Sequence, residues 1–65
     1  MAESAVPEVV SFIENSVRLR AEHYREQAQH FRSLAGMEPV IQIRRQLIGL
    51  ADQYDKMAAE LDIAR

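Results

Sequence analysis

The chain has 65 residues and a mass of 7.5 kDa, so it forms one small domain at most and cannot enclose a deep active-site cavity. It contains no cysteine, which excludes disulfides and thiolate metal sites. Its formal charge of -2 argues against a general binder of nucleic acid or of anionic membranes. Hydrophobic residues make up 48% of the chain and only two residues are glycine, a composition typical of packed helices.

The first predicted helix spans about residues 8–35 and opens a single domain, residues 7–65. Residues 1–6 are expected to form a flexible amino terminus. Pro7 offers one start for the helix, and the capping pattern Ser11-x-x-Glu14 offers another. Small and apolar residues recur along one face at intervals of four and three, as Val17, Ala21, Tyr24, Ala28, Phe31 and Ala35. Asn15 and Ser16 compete with the backbone for hydrogen bonds, which leaves continuity at that point open.

The second predicted helix spans about residues 39–64, after a turn at residues 36–38. Gly36 is suited to a left-handed conformation at the end of a helix, and Pro39 is suited to the first helical position. Apolar residues then fill every core position of a heptad: Val40, Ile43, Leu47, Leu50, Tyr54, Met57, Leu61 and Ala64. A connection this short predicts an antiparallel hairpin.

Four alanines are expected to let the two helices approach closely. A turn centred near residue 37 places residues whose numbers sum to about 75 side by side, which would set Tyr24 against Ala51 and Ala28 against Leu47. The predicted core seam contains Val17, Ala21, Tyr24, Ala28, Phe31, Leu47, Leu50, Ala51, Tyr54, Met57, Ala58 and Leu61.

The apolar stripes are wider than one hairpin can cover, because Leu19, Leu34, Ile41, Ile48 and Ile63 extend them. We therefore predict an all-α fold in which an antiparallel two-helix hairpin dimerises into a four-helix bundle, most simply as a two-fold homodimer.

The two helices resemble each other at an offset of thirty residues, which aligns Tyr24 with Tyr54 and Ala28 with Ala58. Some surface charges are reversed at the same offset. Arg25 aligns with Asp55, and Arg32 aligns with Asp62.

Three segments carry a family resemblance: Tyr24-Arg25-x-x-Ala28, Arg32-x-Leu34-Ala35, and the heptad stretch from Arg44 to Leu61. They resemble the small helical proteins of unknown function that are frequent in rhizobia and related alphaproteobacteria. The resemblance covers about residues 23–61 and implies a bacterial cytoplasmic protein. It implies no activity, ligand or catalytic residue.

Candidate chemistry is sparse. His23, Glu26 and His30 stand at intervals suited to metal binding, but they lie opposite the heptad stripe, so a solvated surface is the favoured interpretation and we expect no metal or other cofactor. No serine, carboxylate pair or glycine-rich loop is placed for catalysis, so we predict that the chain is not an enzyme. No apolar run is long enough for a membrane span, and a cytoplasmic location is expected.

The charges divide the chain into an acidic beginning, a basic middle and an acidic end. Arg32, Arg44 and Arg45 gather near the turn and are candidate contacts for an anionic partner. The favoured function is a non-enzymatic interaction or structural module whose partner is itself or another protein. The alternative is a binder of nucleic acid or of an acidic partner through the turn.

Overall fold

The structure is a computed structural model that describes the backbone of residues 2–64 and the side chains of residues 8–63. Two helices, α1 (Ala2–Met37) and α2 (Ile41–Ala64), form an antiparallel hairpin, and this described part contains no strand. The principal extents are 61 × 15 × 9 Å, so the two helices form a single thin layer. The prediction of an all-α helical hairpin is confirmed.

α1 begins at Ala2, ahead of both predicted start signals, so the backbone of residues 2–6 is helical. Their flexibility stays a prediction, and Met1 lies outside the described residues. The helix is continuous through Asn15 and Ser16. The Asn15 Oδ1 atom accepts a hydrogen bond from Arg18 Nη2, 2.5 Å away, one turn later on the same surface. This bond occupies the side-chain acceptor that would otherwise compete for backbone donors.

The end of α1 differs from the prediction, because Gly36 lies inside the helix and no described glycine has a positive φ. The helix continues to Met37, and the amide of Glu38 then donates to the Ala35 carbonyl oxygen at 3.2 Å. Pro39 stops the helix, since proline has no amide donor and disfavours helical geometry at the residue before it. Proline, and not a left-handed glycine, therefore ends α1.

The start of α2 is held by Glu38 and Arg44. The Val40 amide donates to the Glu38 carboxylate at 3.2 Å, while Arg44 Nε and Nη2 donate to the Glu38 carbonyl oxygen at 3.1 and 3.0 Å. The first helical backbone bond runs from the Arg44 amide to the Val40 carbonyl at 3.0 Å. The Glu38 carboxylate thus satisfies the amide of Val40, which directly precedes the first residue of α2.

The helices pair in a different register from the predicted one. The Tyr54 ring lies against two rings of α1, with its centroid 5.7 Å from that of Tyr24 and 5.4 Å from that of Phe31. The numbers of these two pairs sum to 78 and 85, and all the inter-helix ion pairs also sum to more than 75. The earlier sum of 75 was wrong because the turn is centred on Pro39, about two residues later than expected.

The side chains buried between the helices are all alanines. Ala21, Ala28, Ala35, Ala51 and Ala58 are buried, and no larger side chain among residues 8–63 is fully buried. The expectation that each of these alanines faces a large residue of the other helix stays a prediction. Two helix backbones approach closely where only methyl groups separate them.

Candidate interaction surface

One side of the hairpin is closed by ion pairs between the helices, and we call it the ion-pair side. Arg25 pairs with Asp62, and Arg32 pairs with Asp52 at 3.0 Å and with Asp55 at 2.6 Å. Four of these five residues are ones whose charges are reversed at an offset of thirty residues, although no pairing between them was predicted. In the antiparallel hairpin the partners are exchanged relative to that alignment, so that Arg25 contacts Asp62 and Arg32 contacts Asp55.

The candidate contacts for an anionic partner have different surroundings. The Asp55 carboxylate raises the pKa of Arg32 most; desolvation opposes that effect, and Asp52 raises the pKa further. Arg44 is half-buried and holds the turn through Glu38. Arg45 is exposed. Two of the three arginines thus bind groups of the chain itself. The role of all three toward a partner stays a prediction.

The opposite side of the hairpin, which we call the open face, is lined by aromatic rings. Phe31 stacks on Tyr54 with centroids 5.4 Å apart and an interplanar angle of 19°. Each ring residue directly precedes an ion-pair residue, as in Tyr24-Arg25, Phe31-Arg32 and Tyr54-Asp55. One residue is a rotation of about 100° around a helix, so the rings lie away from the ion-pair side. All three side chains are half-buried in the single hairpin.

Exposed aliphatic side chains extend the open face near the turn. Leu34, Ile43 and Leu50 have exposed fractions of 37%, 43% and 40%. Leu34 lies three residues after Phe31 on α1, while Ile43 and Leu50 lie eleven and four residues before Tyr54, so all three share the side of the rings. Leu50 was predicted in the seam between the helices, but within one chain it is exposed and only its neighbours Leu47 and Ala51 turn inward.

The rest of the predicted seam divides into two groups. The four predicted alanines are buried, as described above. The larger members are half-buried and border the open face: Val17, Tyr24, Phe31, Leu47, Tyr54, Met57 and Leu61. The tyrosine rings pack as expected, and no buried side-chain polar atom of the described residues lacks a hydrogen-bond partner.

A second exposed apolar cluster lies at the beginning of α1. Val9, Val10, Phe12 and Ile13 are all exposed, with 73% of Phe12 accessible. Because the inter-helix pairs sum to 78 or more, Ala64, the last residue of α2, lies no nearer the amino terminus than Glu14, so residues 9–13 extend beyond the described part of α2. The sequence patterns did not single out this cluster, although its apolar residues were visible.

The histidines occupy the outer surface. His23 and His30 are exposed, and each ring lies beside the aromatic residue that follows it. Among the described residues, no three histidine or acidic side chains are grouped so as to hold a metal ion.

The hairpin thus has two unlike sides: one carries the inter-helix ion pairs together with the exposed Ile41 and Ile48, and the other carries the aromatic rings. No family model, curated protein or solved structure matches the chain. The resemblance to rhizobial helical proteins accordingly stays a prediction. Within residues 2–64, neither helix has a stretch long and apolar enough to cross a membrane.

Proposed function

We propose that the chain is a non-enzymatic interaction module that self-associates, with two hairpins packing their open faces together into a four-helix bundle. The observation that supports this most is the division of the hairpin into two unlike sides. Ion pairs close one side, while the rings of Tyr24, Phe31 and Tyr54 remain half-exposed on the other. Half-buried aromatic rings beside exposed aliphatic residues are typical of an interface that a partner completes.

The exposed area fits one further copy of the hairpin. The accessible surface of the chain is 5189 Å², whereas a folded monomer of this mass typically exposes about 4,200 Å². The excess is roughly 1,000 Å², and each partner in a standard protein interface buries about 800 Å². A single second copy would therefore remove about the right amount of surface.

Sedimentation or light scattering at micromolar concentration tests the proposal, and two isoleucines provide a matched pair of variants. Ile43 and Ile48 are each 43% exposed, but Ile43 lies on the open face while Ile48 lies seven residues before Asp55, on the ion-pair side. We expect a mass of two chains for the unmodified protein and for Ile48→Gln. We expect one chain for Ile43→Gln, both alone and combined with Leu50→Gln.

Two results would contradict the proposal. One is a monomeric mass for the unmodified protein together with a melting temperature that does not depend on concentration. The other is dissociation by Ile48→Gln to the same extent as by the open-face variant, which would place the interface elsewhere.

Binding of nucleic acid or of an acidic partner through the turn has less support. Arg32 is already paired with two carboxylates, and Arg44 is bonded to the backbone at Glu38. Only Arg45 of the three is left without such an engagement among the contacts described above, and one exposed arginine is a small basic surface.

A further inference from the structure

The open face carries two apolar clusters. The first, which we call the amino-terminal patch, consists of Val9 and Ile13, whose spacing from Phe31 places them on its side of α1, and the second, the turn patch, consists of Leu34, Ile43 and Leu50. Ile13 and Leu34 are 21 residues apart, which is three heptads, so they lie on the same side of α1. At 1.5 Å per residue the two patches are about 31 Å apart along the helix.

We propose that the two copies in the bundle are antiparallel, so that the amino-terminal patch of each copy packs on the turn patch of the other. This inference rests on the self-association proposed above and adds its orientation and its contact residues. A two-fold axis perpendicular to the hairpin exchanges the two ends and buries both patches in two identical contacts.

The position of that axis follows from the register. The midpoint between Ile13 and Leu34 is at residue 23.5, next to Tyr24, whose ring lies 5.7 Å from that of Tyr54. The axis therefore passes beside the tyrosine pair, and the half-exposed rings of the two copies meet at the centre of the interface. Buried aromatic residues at the centre of an interface are where most binding energy is concentrated.

A parallel pair of hairpins would also cover apolar surface with apolar surface, so charge decides between the two orientations. Residues 1–15 carry three acids and no base. At the turn end Arg32 is paired with Asp52 and Asp55 and Arg44 is bonded to the Glu38 carbonyl oxygen, whereas Arg45 is exposed. A parallel pair places the two acidic ends together, where like charges repel. The antiparallel pair separates the acidic ends and brings each one against a turn end that carries the exposed Arg45, and complementary charge is what selects orientation in an interface.

Inter-chain distances test the orientation directly, because the chain has no cysteine and accepts single labels. Ser11 and Ser33 are exposed residues near the two ends of the interface, 22 residues apart on α1 and away from the open face. Single-cysteine variants at these positions carry spin labels, and mixed samples report distances between the chains. Light scattering of each labelled variant confirms that its mass is unchanged.

The antiparallel arrangement predicts a short distance between Ser11 of one chain and Ser33 of the other. Distances between like sites are long, because each site is displaced from the two-fold axis. Along the helix axis, two Ser11 labels are roughly 40 Å apart and two Ser33 labels are about 30 Å apart. The reverse pattern, with like sites close and unlike sites far apart, would overturn the orientation and leave self-association standing. No dipolar coupling between chains in any sample would overturn both.

Discussion

The ring of Phe31 stacks on the ring of Tyr54, although the two residues are 23 positions apart and lie on different helices. Tyr54 also contacts Tyr24, one heptad before Phe31, so a single ring from α2 fits between two rings of α1. This arrangement fixes the register of the hairpin, because a shift of one turn would separate at least one of the two ring pairs.

Removal of the Tyr54 ring should destabilise the protein strongly. We expect Tyr54→Ala to lower the free energy of unfolding by about 2–3 kcal/mol, because the ring packs on two aromatic neighbours while remaining partly exposed. Tyr54→Phe should change it by less than about 0.5 kcal/mol, since a hydroxyl that reaches water contributes little. Denaturant unfolding followed by circular dichroism measures both, and equal losses would mean that the hydroxyl, not the ring, fixes the register.

Enlarging the alanines between the helices should overpack the hairpin. Ala28→Leu or Ala51→Leu should each cost about 1–3 kcal/mol, because both methyl groups are buried where the helix backbones approach. Ala59→Leu is the control, since Ala59 is exposed on the outer surface. Thermal unfolding at fixed protein concentration compares the three, and three harmless substitutions would contradict a closed hairpin.

The two glycines should both tolerate alanine. A Cβ atom added at Gly36 or Gly49 meets no atom within 4 Å, and neither residue has a positive φ. Gly49→Ala should therefore stabilise the protein by about 0.5–1 kcal/mol. Gly36→Ala should give a smaller gain because the helix ends one residue later. A loss of stability in Gly36→Ala would indicate the left-handed cap that the sequence suggested.

Anion binding at the turn should depend on the acidic partners of Arg32. Replacing Asp52 and Asp55 together by asparagine releases the guanidinium, so retention on immobilised heparin at low salt should increase relative to the unmodified chain. Arg45→Gln should change retention little. Strong retention of the unmodified chain, abolished by Arg45→Gln, would instead favour the anion-binding function.

The histidines should be dispensable for folding and association. We expect His23→Gln combined with His30→Gln to leave the melting temperature and the mass unchanged, because both side chains are exposed. Low micromolar zinc should not raise the melting temperature of the unmodified protein. An increase of several degrees that disappears in the double variant would establish a metal site.

The sequence alone determined the helices and their pairing as a hairpin. The formation of helices and of a turn depends on local geometry, which a linear pattern records. The signals here are periodic apolar residues, a proline after a glycine and a short connection. Exact helix ends were less accessible, because Pro39 and the Glu38 bonds compete with the glycine signal at the same turn.

Only the tertiary structure decided the register and the two sides of the hairpin. A heptad treats Leu50 and Leu47 as equivalent core positions, yet close approach at Ala51 and Ala58 rotates α2 so that Leu47 turns inward and Leu50 remains exposed. Likewise, the sequence pattern marks Arg25 and Arg32 as ordinary surface residues. Only the packing of the second helix brings the aspartates to them. Periodicity specifies which face of a helix is apolar, whereas the rotation and axial position of one helix against another depend on contacts between residues far apart in the chain.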